Sequence, residues 1–353
     1  MKTLTNLISI RLLAVLMAVT LWPITGQAQG VAAQTKTSEL QDGTTIYLNT
    51  ATTLTVDEDR TLTMIDAGGY LDLTINLQSG KKLYIKPSKK GTGIYVRNLT
   101  VKGSGTLRID GGNLSVHLGE TGVATFDNTN AYFTNCSSAI RGLGDNSVII
   151  NNSTVQLLAS VAAFGGFASS IYDWFDLKDF TIKGEGSNVA ITGYLGMKLP
   201  QQKTSYNMAL ENFNVEGGVV ALANREGYTT VHSKNVNFTG GKITINQSGT
   251  ASINPYDDAG IIADNVTVSD CELTMNTNWH GITATNSVHI NNAKVNIAAG
   301  TKSHAINGCP YGIQILGEKT ELSANGSRGG IVVDGPVTIK CKSVFAKART
   351  EGY

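Results

Sequence analysis

Apolar and polar positions along this chain fall into one repeated frame: apolar, any, apolar, a four-residue bend, apolar, any, apolar. Asn146 to Leu157 (NSVIINNSTVQL) and Asn286 to Ile297 (NSVHINNAKVNI) show it most clearly, with Val148, Ile150, Val155 and Leu157 matched by Val288, Ile290, Val295 and Ile297. The frame recurs at Phe213/Val215/Val220/Leu222, Val236/Phe238/Ile243/Ile245, Val266/Val268/Leu273/Met275, Ile313/Ile315/Thr320/Leu322 and Val337/Ile339/Val344/Ala346. Looser copies begin at Leu73, Leu99, Ala131 and Phe180. Alternation with period two makes each half a strand with one buried face. A single copy cannot bury that face alone, so the copies must stack.

From 148 the frame restarts at 180, 213, 236, 266, 288, 313 and 337. The steps cluster at 22 to 25, with three near 30. The short step suits one turn of a parallel β-helix with three strands. The third strand shows late in the chain, at Gly260-Ile261, Gly281-Ile282, Ala305-Ile306 and Gly330-Ile331. The period also fits a leucine-rich repeat, but that signature of Leu and Asn is missing, and a propeller blade needs about 40 residues. The expectation is an all-β, right-handed, single-stranded parallel β-helix of about ten or eleven turns, roughly 50 Å long at 4.7–4.9 Å per step. It should run from about 43 to 353, with 29–42 as a leader or N-terminal cap.

Lys2 and Arg11 precede the apolar run Leu12 to Trp22, and Gly26-Gln27-Ala28 supplies small residues at a cleavage site. This reads as a secretory signal over 1–28, too short to be a comfortable membrane span. The expected location is therefore the cell surface, the medium or the periplasm, with no membrane span in the mature chain. Charged residues make up 16% and the net charge is +1, without a basic stripe, which argues against nucleic acid as a partner.

Four cysteines in an exported chain invite a disulfide reading. The frame opposes it. Cys136 and Cys271 hold the bend place that Ser153, Gly218, Gly241 and Ala293 hold elsewhere, and they lie five turns apart. Free, small, buried cysteine is the expectation, with a Cys309–Cys341 bridge as the alternative.

The longer turns carry extra residues at 158–179, 192–212 and 246–265, all between the second strand and the next frame. Insertions at one angular position project from one face. They carry Tyr172 and Trp174, Tyr194 and Tyr206, and Tyr256 beside Asp257 and Asp258. Trp279 and His280 follow on the next turn, and His280 and His304 should neighbour each other across one turn. Aromatic faces with nearby carboxylates suit a sugar; the same rings also suit packing of their own loops onto the coil. Asp257, Asp258 and Asp264 on neighbouring turns make calcium the one cofactor to test, against solvated turn aspartates.

Residues 257–300 resemble the repeats of exported bacterial β-helix proteins of the carbohydrate-binding domain-containing type, whose rhythm is Asp-Gly-Ile, a short spacer, a strand, Gly-Gly and a strand; this chain departs from it, with Asp258-Ala259-Gly260-Ile261 and His280-Gly281-Ile282 in place of the first motif and Ser269-Asp270 and Asn291-Asn292 in place of the glycine pair. The likeness covers roughly 257–346, and the remainder by rhythm. It implies a pectate-lyase-like fold and, as in some such proteins, calcium-assisted binding of acidic polysaccharide without cleavage. The expected function is a non-catalytic glycan-binding or adhesin protein. A polysaccharide lyase or glycosidase is the alternative, and a structural spacer the third. The short tail after Val337 also predicts an incomplete last turn and self-association through that end.

Overall fold

A computed structural model describes residues 28–142, 145–164, 177–195, 210–225, 229–249, 258–300 and 302–348. All its strand pairings are parallel, and the strands wind into a β-helix. The register of one column of positions follows the described coil from end to end: Gln29, Ile46, Ile65, Ile94, Val116, Ile140, Phe164, Leu195, Val231, Ile261, Ile282, Ile306 and Ile331. These are thirteen rungs, or about 58 Å at the usual strand spacing. The extra rungs over the sequence expectation lie at the N-terminal side, where pairing begins with the strand Ala28–Val31 against Thr44–Leu48.

The alternation behaves as the frame demands. Val148, Ile150, Val155 and Leu157 are fully buried, and so are Val288 and Ile290. Aromatic rings stack along the interior, with Phe164, Phe180, Phe213 and Phe238 in successive edge-to-face contacts at 5.4, 5.8 and 5.7 Å.

The bend has a conformational cause. Gly103, Asn128, Asn152 and Gly184 occupy one column, and Asp270, Asn292 and Gly317 another stretch of it. All have φ between 44° and 98°. Only Gly, Asn and Asp tolerate that region cheaply, which explains why Asn291-Asn292 and Ser269-Asp270 substitute for a glycine pair. The next residue is small and buried: Ser153, Cys271 and Ala293. All four cysteines are free, but Cys136 does not share the place of Cys271: Ala131 pairs with Val155 and Cys136 with Ala159, after a different bend, whereas Cys271 lies in the column of Ala293.

Outside, polar side chains form ladders. Asn212 donates to Asp179 at 2.7 Å, Asn235 to Asn212 at 3.0 Å, and Asn265 to Asn235 at 3.1 Å. Ser287 closes the run on Asn265 at 3.0 Å. Each rung thus satisfies the amide of its neighbour. Among the described residues no helix is long and apolar enough to cross a membrane.

Candidate functional site

Of the residues that the sequence singles out, Tyr172, Trp174, Tyr206, Tyr256 and Asp257 lie outside the described residues. Tyr194 belongs by its backbone to the strand Asn188–Leu195. Asp258, Trp279 and His280 come together at one corner. The His280 backbone N–H donates to the Asp258 carbonyl at 3.2 Å, and both side chains are buried. The Trp279 backbone N–H donates to Gln247 Oε1 at 3.2 Å, while its indole Nε1 is buried without a hydrogen-bond partner.

The expected histidine neighbours stack, with His280 and His304 ring centroids 5.3 Å apart and planes 24° from parallel. The His304 backbone N–H donates to His280 Nδ1 at 3.0 Å, so that nitrogen carries no proton. Burial, and Arg328 beside it, push the His304 pKa down. Asp264 stands apart on the next stretch of strand and accepts from Thr285 Oγ1. Among the described residues no three His, Cys, Asp or Glu side chains converge as a metal site.

A second arrangement lies on the N-terminal rungs. Ile46, Ile65, Ile94, Val116 and Ile140 point inward there. The residue after each therefore faces out, and the register aligns Tyr47, Asp66, Tyr95, His117 and Arg141 in one outer row. Five positions span about 19 Å. After Asp66 the chain turns through Gly68 and Gly69, at φ 62° and 75°. Asp66 Oδ1 accepts the Gly68 N–H at 2.8 Å. This turn lies against the Tyr95 ring: a Cβ on Gly69 would sit 2.8 Å from the Tyr95 hydroxyl. It leaves Tyr70 projecting, 80% exposed.

Tyr95 and His117 stack at 4.5 Å between centroids. His117 Nε2 is buried and has no hydrogen-bond partner. Burial first, and the Arg141 charge second, push the His117 pKa down to about 4, so the imidazole is neutral at pH 7. Burial, with Tyr70 and Asp66 nearby, raises that of the Tyr95 phenol. The row thus offers two phenols at one end, a carboxylate among them, a neutral imidazole and a guanidinium. These are hydrogen-bonding groups set beside aromatic rings, a combination suited to a ligand that carries both hydroxyls and apolar faces.

The sequence frame follows the first two strands of each turn, and so misses this row. A signal was present. Gly93-Ile94-Tyr95 and Ala139-Ile140-Arg141 carry the same pair of a small residue and isoleucine that marks the third strand late in the chain. The small residue is needed because its side faces the core: a Cβ on Gly93 would meet Ile109 at 2.8 Å.

A cavity of about 390 Å³ opens on a different corner, lined by Asn76, Leu77, Gln78, Lys102, Gly103, Asp127 and Asn128. Asn151 donates to Asp127 at 2.7 Å there. No family model, no curated protein and no solved structure matches the chain.

Proposed function

We propose that this is an exported, non-catalytic protein of the cell surface or periplasm that binds polysaccharide, in the manner of a glycan-binding β-helix or adhesin. The observation that supports this reading is the outer row Tyr47, Asp66, Tyr95, His117 and Arg141. Its groups repeat along the coil axis at strand spacing, as a linear polymer requires, and Tyr70 adds an exposed ring beside it. Export rests on the N-terminal segment read from the sequence.

Cleavage is the second reading, favoured by one fact: the row contains proton-transfer groups in Asp66, Tyr95 and neutral His117. It holds a single carboxylate, whereas glycoside hydrolysis ordinarily employs two. A glycan array with and without calcium, followed by a reducing-end assay on the hits, separates the readings. Binding without new reducing ends, lost in a folded Tyr95→Ala/His117→Ala variant, supports the first. New reducing ends support cleavage. No binding to any glycan leaves the spacer reading.

A further inference from the structure

The whole-chain charge of +1 conceals a local concentration. Residues 81–108 contain Lys81, Lys82, Lys86, Lys89, Lys90, Arg97, Lys102 and Arg108 and not one acidic residue. The fold places five of these eight around one sheet face and its adjoining turn. On the strand Lys82–Ile85, Leu83 and Ile85 are buried, so Lys82 and Tyr84 face out, and Lys86 continues the outer positions. Register sets Tyr84 beside Arg108 on the strand Thr106–Asp110, and Arg108 beside Tyr132 on the strand Asn130–Arg141. Arg108 is thus flanked by a tyrosine on each side, the two rings two strand steps apart, about 9.5 Å. Lys89 and Lys90 lie in the turn that leads from this face to the strand Thr92–Val96, which carries Tyr95. Lys82, Lys86, Lys89, Lys90 and Arg108 are exposed, and Tyr84 and Tyr132 half-buried.

Two acidic groups lie against this patch. Asp110 accepts from Thr134 Oγ1 at 2.8 Å and Asn135 Nδ2 at 2.6 Å, and lies 3.6 Å from Arg108 Nη2. Asp59 Oδ1 accepts the Lys82 backbone N–H at 2.9 Å. Five cations against these two carboxylates leave a clear positive excess here, and on balance an acidic remainder elsewhere. Exposed lysines spread this way are not consumed by ion pairs and present a field to solvent.

We infer that this face, with its lysine corner, binds an anionic glycan directly through Lys86, Lys89, Lys90 and Arg108, with no bridging metal ion. The planar guanidinium suits a carboxylate or sulfate in a two-pronged bond, the lysines neutralise neighbouring anionic groups, and Tyr84 and Tyr132 cover the sugar faces between them. Carboxylated and sulfated sugars share this chemistry. The inference rests on the glycan-binding reading but not on the Tyr95–His117 row, since it invokes other residues on another sheet face. A nucleic acid is the competing polyanion. It is disfavoured because the basic area is local and the rest of the surface is on balance acidic, unlike the broad basic footprint of nucleic-acid binders.

The test is equilibrium binding of the whole chain to polygalacturonate, dextran sulfate, neutral dextran and duplex DNA, each with and without EDTA and at two salt concentrations. The probes separate the anion sources. Either of the first two binding more tightly than DNA and neutral dextran, insensitive to EDTA and weakened by salt, is the expected result. A Lys86→Gln/Lys89→Gln/Lys90→Gln variant should lose roughly tenfold or more in affinity for the anionic glycan, as should Arg108→Gln. Lys242→Gln/Lys294→Gln, on distant rungs, should lose nothing. Binding abolished by EDTA, tighter binding to DNA, or unchanged affinity in the folded triple variant would each overturn the inference. Loss of neutral-glycan binding in Tyr95→Ala/His117→Ala with anionic binding intact would separate the two surfaces and uphold both assignments. The salt dependence of the unmodified chain gives a reading that needs no variant to fold.

Discussion

The rings of Tyr95 and His117 stack with centroids 4.5 Å apart and planes 17° from parallel, on adjacent rungs of the coil. The contact ties stability to pH. His117 titrates near 4 in the fold, against 6.5 for an ordinary imidazole. Above about pH 6.5 both folded and unfolded chains hold it neutral, and it costs nothing. As pH falls from there to 4 only the unfolded chain takes up the proton, so stability falls, by at most roughly 3 kcal/mol. Urea unfolding at pH 7.5 and pH 4 should show a smaller acid loss in His117→Gln than in the unmodified chain. Equal losses would show that the imidazole is not held neutral.

Phe213 lies between Phe180 and Phe238, at 5.8 and 5.7 Å, and is fully buried. Phe213→Ala removes both edge-to-face contacts and opens a cavity between rungs. It should cost about 3–5 kcal/mol by denaturant unfolding, and Phe213→Leu distinctly less. A loss under 1 kcal/mol for the alanine would mean the neighbouring rungs collapse into the space.

At Asp270, φ is 49°, a conformation that only glycine adopts without cost. Asp270→Gly should therefore raise the melting temperature or leave it unchanged, while Asp270→Val should lower stability by about 1–2 kcal/mol. The pair is informative together: equal effects of glycine and valine would show that the aspartate side chain, not the backbone, matters at this bend.

Thiol chemistry should single out one cysteine. Burial pushes the Cys271 thiol up to about 12 and that of Cys309 up to about 11, and Cys136 is also raised by burial. Cys341 is only half-buried. At pH 8 a thiol-reactive probe should label one group per native chain, at Cys341, and four after unfolding. Fewer than four in the unfolded, unreduced chain would reveal a bridge.

Along the strand Val337–Ala348, Val337 and Ile339 are about half exposed, although Ile313 and Ile315, their counterparts one rung earlier, are fully buried, and Phe345, opposite Ser323, is exposed too. A second copy covering this apolar surface is the expected source of self-association. Ile339→Lys/Phe345→Lys should lower the sedimentation coefficient at high concentration and leave it unchanged at high dilution; no difference at any concentration rules the contact out.

Much of the fold was legible because inward positions repeat. A pattern such as Val148, Ile150, Val155 and Leu157 leaves little choice once copies must stack, and Asn292 and Asp270 announce the bend through their tolerance of positive φ. His280 and His304 were legible as neighbours because a single step of the repeat separates them. The first rungs were harder. Thr44–Leu48 and Arg60–Asp66 are threonine-rich strands with irregular connections, and nothing in their local pattern reports the pairing of Ile46 with Ile65. The row through Tyr95 and Arg141 was hidden for a related reason. Its members are scattered singly along the sequence, each an unremarked polar residue after an isoleucine or, for His117, a valine, and only register makes them adjacent. The lysine face escaped because net charge averages over the whole chain, while a solenoid gathers one short stretch onto one side.

The parallel register has a mechanical side. Backbone hydrogen bonds between rungs point along the coil axis. A load applied along that axis therefore pulls them end-on, a few at a time, while one applied across the coil loads a whole sheet in shear. A protein of this build should yield rung by rung in the first direction and hold stiffly in the second, so the direction of the load sets how much force the coil bears.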